Sequence, residues 1–371
     1  MAESYRIKSI DALRGIAIAI MIIGDNPGNG KRIYTQLRHP KWNGLTLADF
    51  AFPFFILTMC MIIPIVMEKN LASKKVLTII FNVIKRSFII IFLGLFLNGF
   101  PLFDLNSIRI PGVLQRLGIV YLSISLLYLL IRCRLKNESL IMIFMMIAAA
   151  VIIIGYYLLL KPSGFNIESN LASKVDVHLL NNHLYTKSFD PEGIISTIGA
   201  IASGLLGCII GYIFTLKTES KYLNLLYNGA LGIVCIISAY LFCKAVPFNK
   251  QLWSSSFILI TAGYGALLAA VLYLICDICK KDSILTPFIY LGSNPIFIYL
   301  ITELIRRSIW KIPVYDERLN LSLSLPTWIT TKFITPWAGT LLDSFYFSLS
   351  YLIVWMAIAK KMYTNNKFIR I

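Results

Sequence analysis

Between Gly24 and Phe55 the chain reads GDNPGNGKRIYTQLRHPKWNG and then LTLADFAFPFF. A polar, glycine-broken stretch thus runs into a long apolar one, and it carries His39, flanked by Arg38, Lys41, Trp42 and Asn43. Of the three histidines, it alone sits in such company at the mouth of a hydrophobic helix. Imidazole changes charge near neutral pH, so it can take or give a proton. Asp49, a turn into the following helix and on the His39 side, lies close below Asn43 and Thr46. A carboxylate there can orient the imidazole through its Nδ1–H. Two plainer readings stand beside this one: an ordinary surface histidine, and an acid stabilised by the helix macrodipole.

Further polar residues fall inside apolar runs, where they are costly and mark either a functional site or a structural pair. Asp11 and Arg14, three apart in SIDALRG, share one helix face as an intrahelical pair or as part of a ligand entrance. In RIPGVLQRLG, Pro111 starts a helix, and Gln115 with Arg116 faces a polar interior one turn deeper, as structure or as ligand contacts. FDPEG places Asp190 as a cap with Pro191 and Glu192 in the first turn of the next helix. LGSNPIFIYLITE holds Asn294 and Pro295 within an apolar run, with Glu303 about two turns on. The proline frees backbone carbonyls that only a cavity or a partner can satisfy. If these positions converge, they line one tunnel. His178 and His183 lack ligand company, and the Cys276–Cys279 pair reads as helix-end cysteines, so no metal is expected. GxSxG, HExxH, P-loop and GxGxxG patterns are absent.

The elements that must position these groups are membrane helices. The chain has 371 residues, 57% hydrophobic and 14% charged, against about a quarter charged in soluble domains. The fold class expected is all-α: a polytopic bundle of about ten spans with a central tunnel. The apolar windows place them at 9–24, 45–67, 79–98, 111–131, 139–160, 193–215, 224–246, 252–276, 285–309 and 343–360. A net charge of +17 then marks cytoplasmic loops, not nucleic-acid binding. With no cleavable leader expected after Arg6 and Lys8, both termini are assigned to the cytoplasm, and His39 to the outer face. Three outward loops, 25–44, 161–192 and 310–342, exceed the usual connection length and read as functional.

Five ordered blocks carry a resemblance: RIKSIDALRGIAIAIMIIGDNPG, LRHPKWNGLTLADFAFPFF, RIPGVLQRLGIVYL, DPEGIISTIGAIASGLLG and LGSNPIFIYLITE. They resemble the transmembrane acyltransferases typified by heparan-alpha-glucosaminide N-acetyltransferase and its bacterial relatives. The resemblance implies transfer of acetyl from cytosolic acetyl-CoA to the terminal glucosamine amine of a polysaccharide across the membrane. It assigns the catalytic histidine of an H-x-x-W-N-G block to His39, with Trp42, Asn43 and Gly44. A second active-site asparagine, at the end of the preceding helix, maps onto Asn26 in a loop about two residues longer here. The animal enzyme has a luminal amino-terminal domain and an extra first helix. This chain opens directly on SIDALRG, so one transmembrane domain over 1–371 is expected, in a bacterial inner membrane.

On that resemblance the partners are acetyl-CoA, an amino-sugar or oligosaccharide acceptor and the bilayer, with a homodimer left open. CoA carries several phosphate charges and cannot cross hydrocarbon, so the acetyl group must cross alone. Arg14, Lys74, Lys75, Lys85 and Arg86 are the candidates for an inner basic rim. His39 would serve as general base, worth on the order of 100- to 10,000-fold, and Asn26 would donate to the developing oxyanion. Direct transfer is preferred to an acetyl-imidazole intermediate. Two rivals remain: an amino-sugar transporter or permease using the same polar groups, and an O-acetyltransferase acting on a surface glycan.

Overall fold

A computed structural model describes residues 7–216, 218–317 and 320–369. Its helices in chain order are α1 Lys8–Asp25, α2 Ala51–Leu71 with a 3-10 lead-in at Leu47–Phe50, α3 Val76–Gly99, α4 Val113–Arg134 and α5 Glu138–Leu160. There follow α6 Leu171–Leu180, α7 Ile194–Thr215, α8 Lys221–Cys243, α9 Ser255–Tyr273, α10 Thr286–Ser293 and α11 Pro295–Ile309. A two-stranded antiparallel hairpin, β1 Pro313–Asp316 with β2 Leu321–Ser324, leads to α12 Leu325–Ile329 and α13 Thr335–Thr364.

The protein is an all-α polytopic membrane protein. Among the described residues, eight helices are long and apolar enough to cross a bilayer, nine if α10 and α11 form one broken span. The remaining member of the expected ten is α1, whose 18 residues include Lys8, Asp11, Arg14 and Asp25. Those charges are tolerable because α1 is central: Ala12, Leu13 and Ile18 are wholly buried within it. Around it α2, α4, α7 and α9 are mostly buried, whereas α3, α5 and α8 turn most of their surface outward. On α3 the outward residues include Phe81, Phe88 and Phe92, as a lipid-facing helix requires.

The α1–α10 contact explains a pair of glycines. A side chain at Gly15 would collide with the Phe288 carbonyl, and one at Gly292 with the Asp11 carbonyl. Small residues of this kind let two backbones approach in a membrane, where apolar burial gives little drive of its own. At Asn294 the chain turns by 73° between α10 and α11. The expected single helix over 285–309 is therefore broken, and Pro295 opens the second piece as its first residue. Asn294 covers the break by accepting from the Ile369 N–H at 2.7 Å and donating to the Lys367 carbonyl at 3.0 Å.

The three long loops are not bare. Helix α6 lies within 161–192, and the hairpin with α12 lies within 310–342. The 10-residue α6 and the hairpin are too short to register as spans. Helix α12, however, runs through a π-helical turn at Thr330–Ile334 into α13, so the last candidate span covers Leu325–Thr364 and begins well before the expected 343. Lys8 pairs with Asp282 at 2.7 Å, and Asn294 holds the segment 367–369, so both described ends lie at one end of the bundle. His39 lies at the other, beyond the last turn of α1.

Candidate active site

Thr46 and Asp49 begin the second span. The Thr46 N–H and hydroxyl donate to Asp49 Oδ2 at 2.9 and 3.1 Å, so one carboxylate oxygen caps the helix. The other oxygen, Oδ1, lies 2.7 Å from His39 Nδ1. Asp49 thus meets the helix start with one oxygen and the imidazole with the other. The carboxylate is fully buried, while 42% of the imidazole is exposed. An ionised carboxylate only accepts, so Nδ1 carries the proton and Nε2 of the neutral ring is left with its lone pair.

Backbone clamps hold this loop. Gly44, at φ +134°, a value side chains rarely permit, donates its N–H to the Phe248 carbonyl at 2.9 Å. Asn249 donates to Asn43 Oδ1 at 3.0 Å, and Gln251 to the Lys41 carbonyl at 3.0 Å. Trp42 donates to the Phe165 carbonyl at 2.7 Å and meets Phe189 edge-on. Within the HPKWNG block, Trp42 and Asn43 dock the loop to its neighbours, and His39 and Trp42 both line the cavity that opens beside it. The clamp also delivers Lys250, whose Nζ lies 3.3 Å from each ring nitrogen and 3.7 Å from Asp49 Oδ1.

His39, Asp49 and Lys250 form one wall of a cavity of about 380 Å³. Arg109, Glu192, Glu303, Arg306 and Arg307 line the same cavity. These are largely paired: Arg109 forks onto Asp190 and reaches Glu192, and Arg306 forks onto Glu303 at 2.9 and 2.6 Å. Asp25 also lines the cavity, and among the described residues it has no hydrogen bond or ion pair. Asp176, on α6, accepts the Ile194 N–H at 2.8 Å. Burial pushes its carboxyl up to about 6.

Phe55 lines this cavity and also a second one of about 290 Å³. The second lies deeper toward the end of the bundle that holds the described termini. Its wall is apolar, with Met59, Ile62, Ile63 and Met67, and it carries two arginines, Arg14 and Arg86. Arg14 donates to the Gly292 carbonyl at 3.1 Å and lies 3.4 Å from Asp11. Arg86 stacks over Tyr121 at 4.7 Å and has no hydrogen bond or ion pair among the described residues.

Of the residues expected to converge on one tunnel, Glu192 and Glu303 reach the His39 cavity and Arg14 the inner one. Four others line neither. Asp11 is the buried partner of Arg14. Gln115 donates to the Ile110 carbonyl. Arg116 is buried under Trp253 and bound to Gly193 and Ser196, and Asn294 is spent on the chain break. Each finds backbone or side-chain partners inside the bundle, while Nε and Nη1 of Arg116 are buried with no hydrogen-bond partner among the described residues. Asn26 is buried too; its amide donates back to the Ile22 carbonyl at 2.9 Å, and Asp25 is the neighbour that lines the cavity. Of the basic rim candidates, Arg14 and Arg86 line the inner cavity and Lys74, Lys75 and Lys85 are exposed. The charged cavity residues that sequence alone did not single out are Asp25, Arg109, Lys250, Arg306 and Arg307. The one available signal for Lys250 was a lone lysine in the short gap between the apolar runs 224–246 and 252–276.

Residues 6–187 match a family described as a domain of unknown function, DUF5009. Human heparan-alpha-glucosaminide N-acetyltransferase is 30% identical over 353 residues, covering 80% of this chain and 52% of the human protein. The mouse protein of the same name is 28% identical over 375 residues, covering 84% and 56%. This chain therefore spans about half the length of these relatives. With a relationship running over most of its sequence and a bundle of apolar helices to match, the chain belongs to the transmembrane acyltransferase family that includes heparan-alpha-glucosaminide N-acetyltransferase.

Proposed function

We propose that this protein transfers an acetyl group from cytosolic acetyl-CoA to the amine of a glucosamine or related amino sugar on the outer side of the membrane, with His39 as general base. The observation that carries this reading is the buried Asp49 holding His39 at 2.7 Å beside a cavity that shares Phe55 with a second, arginine-bearing one. The apolar wall of the inner cavity suits an uncharged pantetheine arm, and Arg14 with Arg86 suits phosphate, which guanidinium binds well. The outer cavity offers Asp25 to an ammonium group.

The acceptor amine arrives mostly protonated and loses one proton to solvent before it attacks the thioester. Nε2 of His39 takes the second proton as the N–C bond forms and the C–S bond breaks, and Asp49 stabilises the imidazolium and fixes the ring. The proton passes to the departing thiolate. For Asn26 to serve the oxyanion, its carboxamide must turn from the Ile22 carbonyl toward the cavity. Trp42 and Asn43 support the base by fixing its loop, and Glu192 and Glu303 shape the acceptor side.

The test is reconstitution in liposomes with radiolabelled acetyl-CoA on the cytoplasmic side and glucosamine or a heparin-derived disaccharide on the other. Label on the acceptor amine with wild type, and none above background with a folded His39→Ala variant, is expected. Full transfer by that variant would sink the assignment of the base. Sugar uptake without label would favour a transporter.

A further inference from the structure

The Lys250 ammonium already sits where an amine acceptor has to sit. Its Nζ is 3.3 Å from both His39 ring nitrogens, it lines the cavity that would receive the thioester, and four-fifths of its side chain is buried. Asn249, wholly buried and bound to Asn43 and to the Leu252 N–H, holds the loop so that this position is kept. A nucleophile tethered beside its base needs no encounter, and such arrangements gain large effective concentrations. Other lysines on this side, such as Lys31 and Lys41, are exposed and line neither of the two cavities described.

Resting on the acetyl-transfer reading above, we propose that Lys250 is a self-acetylation site, modified when acetyl-CoA is present and the acceptor amine is not. The ammonium loses one proton to solvent, and the Nζ lone pair attacks the thioester carbonyl. The N–C bond forms as C–S breaks. Nε2 of His39 removes the second proton and passes it to the thiolate, giving CoA thiol and a neutral amide that retains one N–H. The product has lost its charge and added bulk over the imidazole, so the modified enzyme is slow. Acceptor amine, competing for the same place, protects against it.

The experiment uses the full chain in detergent with acetyl-CoA and no acceptor, followed over time by peptide mass spectrometry and by residual transfer activity. Expected is one acetyl group on Lys250, gained about tenfold or more faster than on Lys41, suppressed by added glucosamine and reduced to the Lys41 rate in His39→Ala. Activity should fall in step. A Lys250→Arg variant, compared with its own starting rate, should not lose activity on the same preincubation. Lys250 staying unmodified, or modified no faster than Lys41, in a preparation that acetylates added glucosamine overturns the inference alone. A preparation that acetylates neither overturns the acetyl-transfer reading and this inference with it.

Discussion

At the scale of residues, the site is a buried carboxylate and a half-exposed imidazole with separate tasks. Replacing His39 with alanine should lower kcat by roughly 100-fold or more and leave the fold intact, as judged by gel filtration and melting. Asp49→Asn tests a different element of the design. The amide can still face Thr46 and His39, but it no longer fixes the tautomer or stabilises the imidazolium, and part of the helix cap is lost. A drop in kcat of about 10- to 100-fold with little change in KM is expected, together with about 1 kcal/mol of stability. Unchanged kcat in a folded Asp49→Asn protein would leave the carboxylate a cap and nothing more. His39 and Asp49 were legible in the sequence because they are ten residues apart across one loop-to-helix junction. Lys250 was not, since it reaches His39 only through a clamp closing 206 residues of chain between Asn43 and Asn249. Asp25 was hidden for a simpler reason: it neighbours an asparagine that looked the better candidate, and which of the two faces the cavity depends on how α1 ends.

At the scale of elements, apolar length announced nearly every spanning helix, because a bilayer imposes one length on all of them. What it could not announce was the short α6, the hairpin and the turn at Asn294, each fixed by tertiary partners. Helix α2 carries Phe55 between the two cavities. Phe55→Trp should therefore block passage of the thioester arm and lower transfer by about tenfold or more, without altering the melting temperature by more than a few degrees. Transfer at the wild-type rate would mean the arm takes another route. Helix α6 gives a pH-dependent test. The Asp176 carboxyl lies near 6 in the fold, against an ordinary 3.8. Between those values the folded state binds more protons than the unfolded one, so stability falls as pH rises through this window and is level above it. Thermal unfolding in detergent should show a loss on the order of 1 kcal/mol from pH 4 to pH 7, which Asp176→Asn removes. An identical slope in that variant would assign the effect to other groups.

At the scale of the whole molecule, the bundle sorts its polar groups by end: an imidazole with acids and arginines at one, two arginines in an apolar pocket at the other. Arg86→Ala should raise KM for acetyl-CoA by about tenfold, the loss of one charge-assisted contact, and leave the acceptor KM unaltered. Equal change in both would place Arg86 in the fold and not at the donor. The ring of Phe55 has a further consequence for the membrane itself. A passage wide enough for an acyl chain is also wide enough for water, and a water column conducts protons. Each elementary charge that slips down a gradient of 100 mV dissipates about 2.3 kcal/mol. Two cavities parted by an aromatic ring would let a neutral group through one reaction at a time while giving ions no continuous wire. The proposed acetylation is then electrically silent, and an energised vesicle should hold its potential throughout turnover.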